Sequence, residues 1–494
     1  MPRNFPPNIT VDILADLIYK RFPEKQKAWK KIRSQFSYFE QLGYLRYVKV
    51  LGHGGYGLVQ LWTVHRPETG ALERPIAIKA LINPRMPANI EAQRNEIAWT
   101  KMFTGCEHMI QLVDLDPAVM PNYDINRSYT PSFVSPDRQN PLMIMEYSGL
   151  GSLKQVLQQV HQAKWINTNR RPLEEPRMEY IPTRILWSLF LCMVRGCIAM
   201  AWPPENPEQN MGSRICEQVP HPGENRKPRK IVHFDIDVLN IFLSEPTPEY
   251  TRNIEHNACP VAKIADYGLM REWDDRWRDQ KKLQYRAGKT LYMPPEVRIP
   301  ELTLLPGALD AHSNVYQIGA AMQELILILP VEATDLTLQE RTIQFGDNPP
   351  RSVVTYGWRL IGTDFLPIQP NYDNVDLTLR TLIVGCMAHD PAERPTLDVL
   401  QDTCFRRIAD LEDEARWDAE ELRRNGVPAG AYDYVHTQVR VPKGTTEPMA
   451  LTKKFENDYF WNPPQEPDRY GDYWDMPLLP NLPVLGGHLH HRRR

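Results

Sequence analysis

The sequence predicts an α+β protein of two lobes, with strands and a helix leading and a long helix at the centre of a larger second lobe. Three observations predict it. The 494 residues exceed one average domain, so two lobes or two domains with extensions are expected. The stretch "YLRYVKVLGHGGYGLVQLWTVHR" alternates apolar and polar residues on both sides of a glycine cluster, the period-two signature of two strands joined by a tight turn. Far downstream, "IPTRILWSLFLCMVRGCIAMA" is apolar over a length that suits a central helix.

Composition narrows the function classes. A hydrophobic share of 42%, a charged share of 24% and a formal net charge of -3 are ordinary for a globular protein and supply no basic field, so specific nucleic-acid binding is not expected. Seven cysteines without a CxxC pair fit reduced thiols better than a disulfide framework or a zinc ribbon. The opening "MPRNFPPNITVDILADLIYKRF" lacks a continuous apolar run, and no stretch reads as long enough to span a bilayer. The expectation is an intracellular protein, cytoplasmic or nuclear, without a membrane anchor.

The 45 prolines cluster at boundaries. One cluster reads as an insertion near 115–140 between two strands, and another as an insertion near 203–230 after the apolar helix. "FRRIADLEDEARWDAEELRRN" is a charged, solvated helical stretch, and the last sixty or so residues read as a partly disordered tail whose prolines prevent regular pairing, with folding back of its aromatic residues over the lobes as the alternative. His488, His490 and His491 lie in that tail, which lacks the preorganisation a metal site needs. Residues 1–43 read as an N-terminal helical extension.

The first candidate site is the glycine turn. Gly52, Gly54 and Gly57 omit side chains where backbone N–H groups approach phosphate oxygens, and Val59 is placed to cover a flat purine ring. Downstream, "PIAIKA" is a short buried strand carrying Lys79, a cation that needs anions to be stable there. A phosphate pair and a carboxylate satisfy it. The carboxylate comes from the helical "NIEAQRNEIAWTKMF", with Glu96 preferred to Glu91 by its distance from "HMIQLVD".

The second candidate site follows the apolar helix. In "KIVHFDIDVLNIFL", Asp235 can accept or orient a hydroxyl proton, and Asn240 is a neutral oxygen donor suited to a hard magnesium ion with phosphate ligands. "VAKIADYGLM" places Asp266 at a strand end before Gly268, where a carboxylate can bridge metal and phosphates. Singly, each residue also fits a turn or a cap. Their order over more than two hundred residues is much harder to obtain by chance.

With these motifs the chain resembles eukaryotic-type protein kinases from about Tyr44 to about Ile408. "PLMIMEYSGLGSL" resembles the hinge between lobes, "YMPPEV" the Ala-Pro-Glu motif ending in Glu296, and "HDPAERPT" supplies Arg394 as that glutamate's partner. "SNVYQIG" resembles the start of the buried helix beneath the catalytic loop.

The resemblance implies a bilobal fold, a small antiparallel β-sheet lobe with one helix (44–148) and a larger, mainly helical lobe (149–408), with 409–494 as appendage. It implies ATP and Mg2+ as cofactors. Gly52, Gly54, Gly57, Val59 and Ala77 cover the nucleotide, with Met145 as gatekeeper and Glu146 to Ser148 bonding adenine through the backbone. Lys79 paired with Glu96 holds two phosphates, Asn240 and Asp266 hold magnesium, and Asp235 orients the attacking hydroxyl.

The sequence departs from the family at charged positions. Phe234 replaces the arginine that pairs with a phosphate on the activation segment, which implies a segment that works without phosphorylation at Thr290. Asp237 replaces the lysine of serine/threonine kinases, and Leu239 is not the arginine of tyrosine kinases; losing one such group costs roughly 3–4 kcal/mol of activation energy. Lys289 stands where serine/threonine kinases have threonine, so lysine and aspartate have changed sides, and the Lys289 ammonium is expected near Asp237 and Asp235. Asn314 replaces an aspartate, keeping an acceptor but losing the charge. A weaker resemblance, on the His-Phe-Asp-Ile-Asp run, is to divergent fungal kinase-like proteins.

The leading expectation is an ATP-dependent serine/threonine protein kinase of reduced activity, with a protein substrate that the sequence does not identify. A pseudokinase scaffold that recruits protein partners is the main rival, favoured by Phe234, Asp237 and Asn314. A small-molecule phosphotransferase is the third reading, opposed by Glu296 with Arg394.

Overall fold

The computed structural model of the chain describes residues 43–53, 57–66, 68–81, 86–115, 142–169, 177–210, 213–245, 255–256, 259–284, 286–329, 336–345, 349–362, 375–424 and 449–461. The N-terminal extension up to residue 42, Gly54, most of the proline-rich insertion near 115–140 and the end of the tail from residue 462 lie outside them.

Strands β1 (Leu45–His53), β2 (Gly57–His65), β3 (Leu72–Leu81) and β4 (Met143–Glu146) form one antiparallel sheet in that order. Leu58, Trp62, Ile76, Ile78 and Ile144 form its core. Burying a large apolar side chain of this kind contributes about 1.5–3 kcal/mol. Helix α1 (Pro87–Met102) opens on a proline whose fixed φ suits a first helical turn, and it buries Gln93, Glu96, Ile97 and Thr100.

The larger lobe is built on α2 (Leu153–Asn169), α3 (Thr183–Ala201), α4 (Ala311–Leu327), α5 (Leu377–Cys386) and α6 (Leu397–Arg424). Its strands are short antiparallel pairs: β5 (Ile231–Val232) with β8 (Arg271–Glu272), β6 (Ile241–Ser244) with β7 (Val261–Ile264), and β9 (Gln339–Ile343) with β10 (Arg351–Thr355). The Asp310 carboxylate accepts the His312 N–H at 2.8 Å, satisfying one of the unpaired donors where α4 begins.

One expectation is corrected here. Helix α3 has 19 residues and is long and apolar enough to cross a membrane by length and composition, whereas no stretch was expected to qualify; all of its residues are buried against protein. The charged helical stretch is the second half of α6. Helix α6 continues to Arg424, held where Arg184 of α3 donates to Glu412 and to the Leu411 carbonyl. Part of the tail is ordered: α7 (Met449–Glu456) and the turn Asn457–Trp461 bury Leu451, Phe455, Tyr459 and Phe460 in the main core. Tyr459 donates to the Met178 carbonyl at 2.5 Å, and Met178 N–H donates to Asp458 at 3.2 Å. The aromatic residues at helical spacing inside this segment are what it buries.

Candidate active site

The sheet supplies the upper wall. Gly52 faces Val59 across β1 and β2, Val59 faces Lys79 across β2 and β3, and Ala77 faces Met145 across β3 and β4. Ala77 and Lys79, two apart in a strand, project from one face. Gly57 leaves room for the lysine, since a Cβ there would stand 3.3 Å from Lys79 Cε.

Lys79 Nζ donates to both carboxylate oxygens of Glu96, at 2.6 and 2.8 Å, and lies 3.3 Å from Asp266 Oδ1. Glu91 is exposed. Burial alone would lower the lysine's pKa, but Glu96 and Asp266 outweigh it and push it well above its ordinary value. Burial pushes the Glu96 carboxyl up while Lys79 pulls it down; the two short hydrogen bonds to an ammonium keep the pair ionised. Attraction to Lys79 outweighs burial at Asp266 and holds it below the usual carboxylate range.

The hinge is partly committed to itself. Glu146 N–H donates to the Gln111 carbonyl at 3.1 Å, and the Ser148 carbonyl accepts from Gly151 N–H at 3.2 Å. Those two groups are therefore already engaged, and backbone bonds to adenine would come from other groups of this stretch, such as the Glu146 carbonyl and the Ser148 N–H. The Glu146 carboxylate is held by Lys263 at 2.8 and 3.0 Å.

The lower wall is the loop between β5 and β6. Asn240 Nδ2 donates to the Asp235 carbonyl at 2.8 Å and to Asp235 Oδ2 at 3.0 Å, which leaves the amide oxygen as the atom able to bind a cation. Ala265 N–H donates to the Asn240 carbonyl at 2.9 Å and so brings Asp266 beside it. The Asn240 oxygen and the Asp266 carboxylate are hard oxygen donors and fit magnesium with phosphate ligands. Asp266 has φ +63°, a left-handed conformation that aspartate tolerates better than most residues.

His233 orders the loop from beneath. Its Nδ1 accepts the Asp235 N–H at 3.3 Å and its Nε2 lies 3.2 Å from the Ala265 carbonyl; burial lowers its pKa to about 4, so the ring is neutral with the proton on Nε2. Its ring meets Tyr267 edge-on at 5.7 Å, and Tyr267 meets Phe103 edge-on at 5.5 Å, a buried series that ties the end of α1 to the loop.

The charge-altered positions come together. Asp237 Oδ1 accepts Leu239 N–H at 2.7 Å and Asn240 N–H at 3.2 Å, while its Oδ2 accepts from Lys289. The Lys289 ammonium is 3.8 Å from Asp235 Oδ1. Asp237 is thus a buried, neutralised turn residue. Burial raises the Asp235 pKa to about 6, with Lys289 opposing that rise and Asp237 and Asp266 adding to it.

Phe234 is buried with Val232, Trp273, Val297, Ala308 and Leu309, and Trp277 packs against this group, edge-on to Trp273 at 5.4 Å. Its φ is +69°, costly for an aromatic residue, and a Cβ on Gly288 would come within 2.0 Å of the Phe234 carbonyl. Only glycine permits that approach. Beside the β5–β8 pairing, Arg229 makes a bidentate pair with Glu272 at 2.8 and 2.6 Å. Sequence reasoning missed Trp273 and Trp277; two tryptophans in the charged run "REWDDRWRDQ" were the available signal.

Beneath the site, Arg394 grips buried Glu296 through two hydrogen bonds at 2.7 and 2.8 Å, and Ser313 donates to the same carboxylate at 2.8 Å. Asn314 Oδ1 accepts His233 N–H at 3.0 Å, and its Nδ2 donates to the Ile231 carbonyl at 2.8 Å. Asparagine has recruited a bond that aspartate lacks the donor to make. Asn314→Asp, although it restores the residue usual in the resembled family, is expected to lower stability by about 1–3 kcal/mol in urea unfolding; unchanged stability contradicts this role for the amide.

An antiparallel sheet carrying an ion-paired lysine, set over a helical lobe whose loop presents an acid and an amide, is the architecture of a bilobal phosphotransferase. A family model for protein tyrosine and serine/threonine kinases matches residues 45–348, more than half of the sequence, and the chain belongs to the protein kinase superfamily. Among curated proteins none matches it.

Proposed function

We propose that the chain is an active protein kinase that transfers the γ-phosphoryl of Mg-ATP to serine or threonine hydroxyls of a protein. The observation that carries this reading is the cation at Asp235: Lys289, 3.8 Å from its carboxylate, stands in for the lysine that Asp237 replaced. Lys79 would hold nucleotide phosphates, with Glu96 fixing its position. Asn240 and Asp266 would hold magnesium, which when bound supplies charge neutralisation of the phosphates. Asp235, with a pKa near 6, is ionised at neutral pH and can accept the hydrogen bond of an incoming hydroxyl. Leu239 lacks the arginine of tyrosine kinases, which favours serine and threonine as acceptors.

The test combines binding with transfer. ATP is expected to raise the melting temperature only when magnesium is present, and the wild-type chain to phosphorylate a generic protein substrate while Asp235→Ala does not. Stabilisation by ATP without any transfer above the Asp235→Ala background refutes the active reading and leaves a scaffold. Transfer to a small molecule alone selects the small-molecule phosphotransferase.

A further inference from the structure

We infer that His108, Cys192 and His256 form a buried structural zinc site in the larger lobe, with Glu107 completing it. The three side chains come from different parts of the chain: His108 follows α1, Cys192 is in the middle of α3, and His256 precedes β7. Their ligand-type atoms all lie within 4.8 Å of one another, and all three residues are buried.

The histidine geometry suits one tetrahedral ion. His108 Nε2 and His256 Nε2 are 3.3 Å apart. Two imidazole nitrogens on tetrahedral zinc, at bond lengths of about 2.0–2.1 Å, stand roughly 3.3–3.4 Å apart. A sulfur and a nitrogen on the same ion stand roughly 3.6 Å apart, so Cys192 need close by little more than about an ångström. Glu107 Oε1 is buried, makes no hydrogen bond and is 3.8 Å from His256 Nε2, outside the group of three but near enough to reach the ion by a side-chain shift, and a bound cation would offset the burial that pushes its pKa up.

The surroundings are those of a metal ligand. Glu217 accepts from His108 Nδ1 at 2.6 Å and from His108 N–H at 2.9 Å, which fixes the tautomer that offers Nε2 to a metal. The local charge also asks for a cation. Glu107, Glu217 and Glu255 are buried here, while Arg195 is paired with Glu255 at 2.6 Å and Lys263 with Glu146. Cysteine and histidine are the soft and borderline donors that select zinc over magnesium. A cleft of about 370 Å³ is lined in part by Cys106, Trp202, Ile215 and Glu217, the residue bonded to His108. The inference is independent of phosphotransfer.

The full-length chain, purified without a polyhistidine tag, is expected to carry close to one zinc per molecule by plasma mass spectrometry. Replacement by cobalt(II) is expected to give a thiolate-to-metal charge-transfer band that disappears in Cys192→Ser, and Glu217→Gln to weaken zinc binding by about 10- to 100-fold. A folded wild-type chain that holds no metal and takes up neither zinc nor cobalt on titration overturns the inference, leaving a charged His108 bonded between Glu217 and His256. Undiminished zinc affinity in both Cys192→Ser and His256→Gln overturns it equally. The wild-type measurement decides even if those variants do not fold.

Discussion

Lys289→Met is expected to lower kcat by about 100- to 1000-fold while ATP still raises the melting temperature. The ammonium lies on the acceptor side of the site, against Asp237 and 3.8 Å from Asp235, whereas the nucleotide-side lysine is Lys79. Its loss removes charge stabilisation from the transferring group without removing the nucleotide contacts. The pH profile tests the same geometry. If Asp235 orients the hydroxyl as proposed, it acts when ionised, and activity is expected to rise with pH through about 6. Lys289 opposes the rise in that pKa and Asp237 adds to it. The acidic limb therefore moves to higher pH in Lys289→Met and to lower pH in Asp237→Asn. Unchanged turnover in Lys289→Met, or limbs that move in the same direction, rejects the exchanged-charge arrangement.

The second large effect falls on the activation segment. Phe234→Ala is expected to cost about 3–5 kcal/mol in chemical unfolding, the range for deleting a buried aromatic ring. The ring lies at the centre of a cluster that joins the catalytic loop to Trp273, Val297 and Leu309. A phosphate-dependent segment is held by charge and released without it; the start of this one is packed through Trp273 onto the Phe234 cluster, so on the proposed reading it needs no phosphate. Thr290→Ala is accordingly expected to keep its activity to within a few-fold, and Phe234→Ala to make the 273–293 segment sensitive to protease. If Thr290→Ala is inactive and phosphorylation at Thr290 restores the wild type, the apolar anchor is not what sets the segment.

What was legible in the sequence was whatever local pattern or fixed spacing encodes. The period-two alternation marked β1 and β2, and the apolar run marked α3. Lys79 stood out as a cation in a buried strand, and Glu96 was separable from Glu91 by position; the structure pairs the first two and leaves the third exposed. The exchange of Asp237 and Lys289 was readable as a charge pattern, but the inward turn of Asp237 onto two backbone amides was not, because it depends on the loop's closed path. The anchoring of Phe234 by Trp273 and the docking of Phe455 and Phe460 depend on surfaces assembled from remote segments. The His108 and His256 pair, 148 positions apart, has no local signature at all.

The docked segment 449–461 bears on how the protein is made. During synthesis the groove that receives Leu451, Phe455, Tyr459 and Phe460 stays open to solvent until residue 461 has cleared the ribosome, well beyond the span that matches the kinase family. Nascent chains halted near Ile408 would display sticky apolar surface and become clients of chaperones or proteases. Translation of the residues after Ile408 is thus the step that closes the larger lobe, and a premature stop codon there acts as a folding lesion although Lys79, Asp235, Asn240, Asp266 and Lys289 have already been encoded.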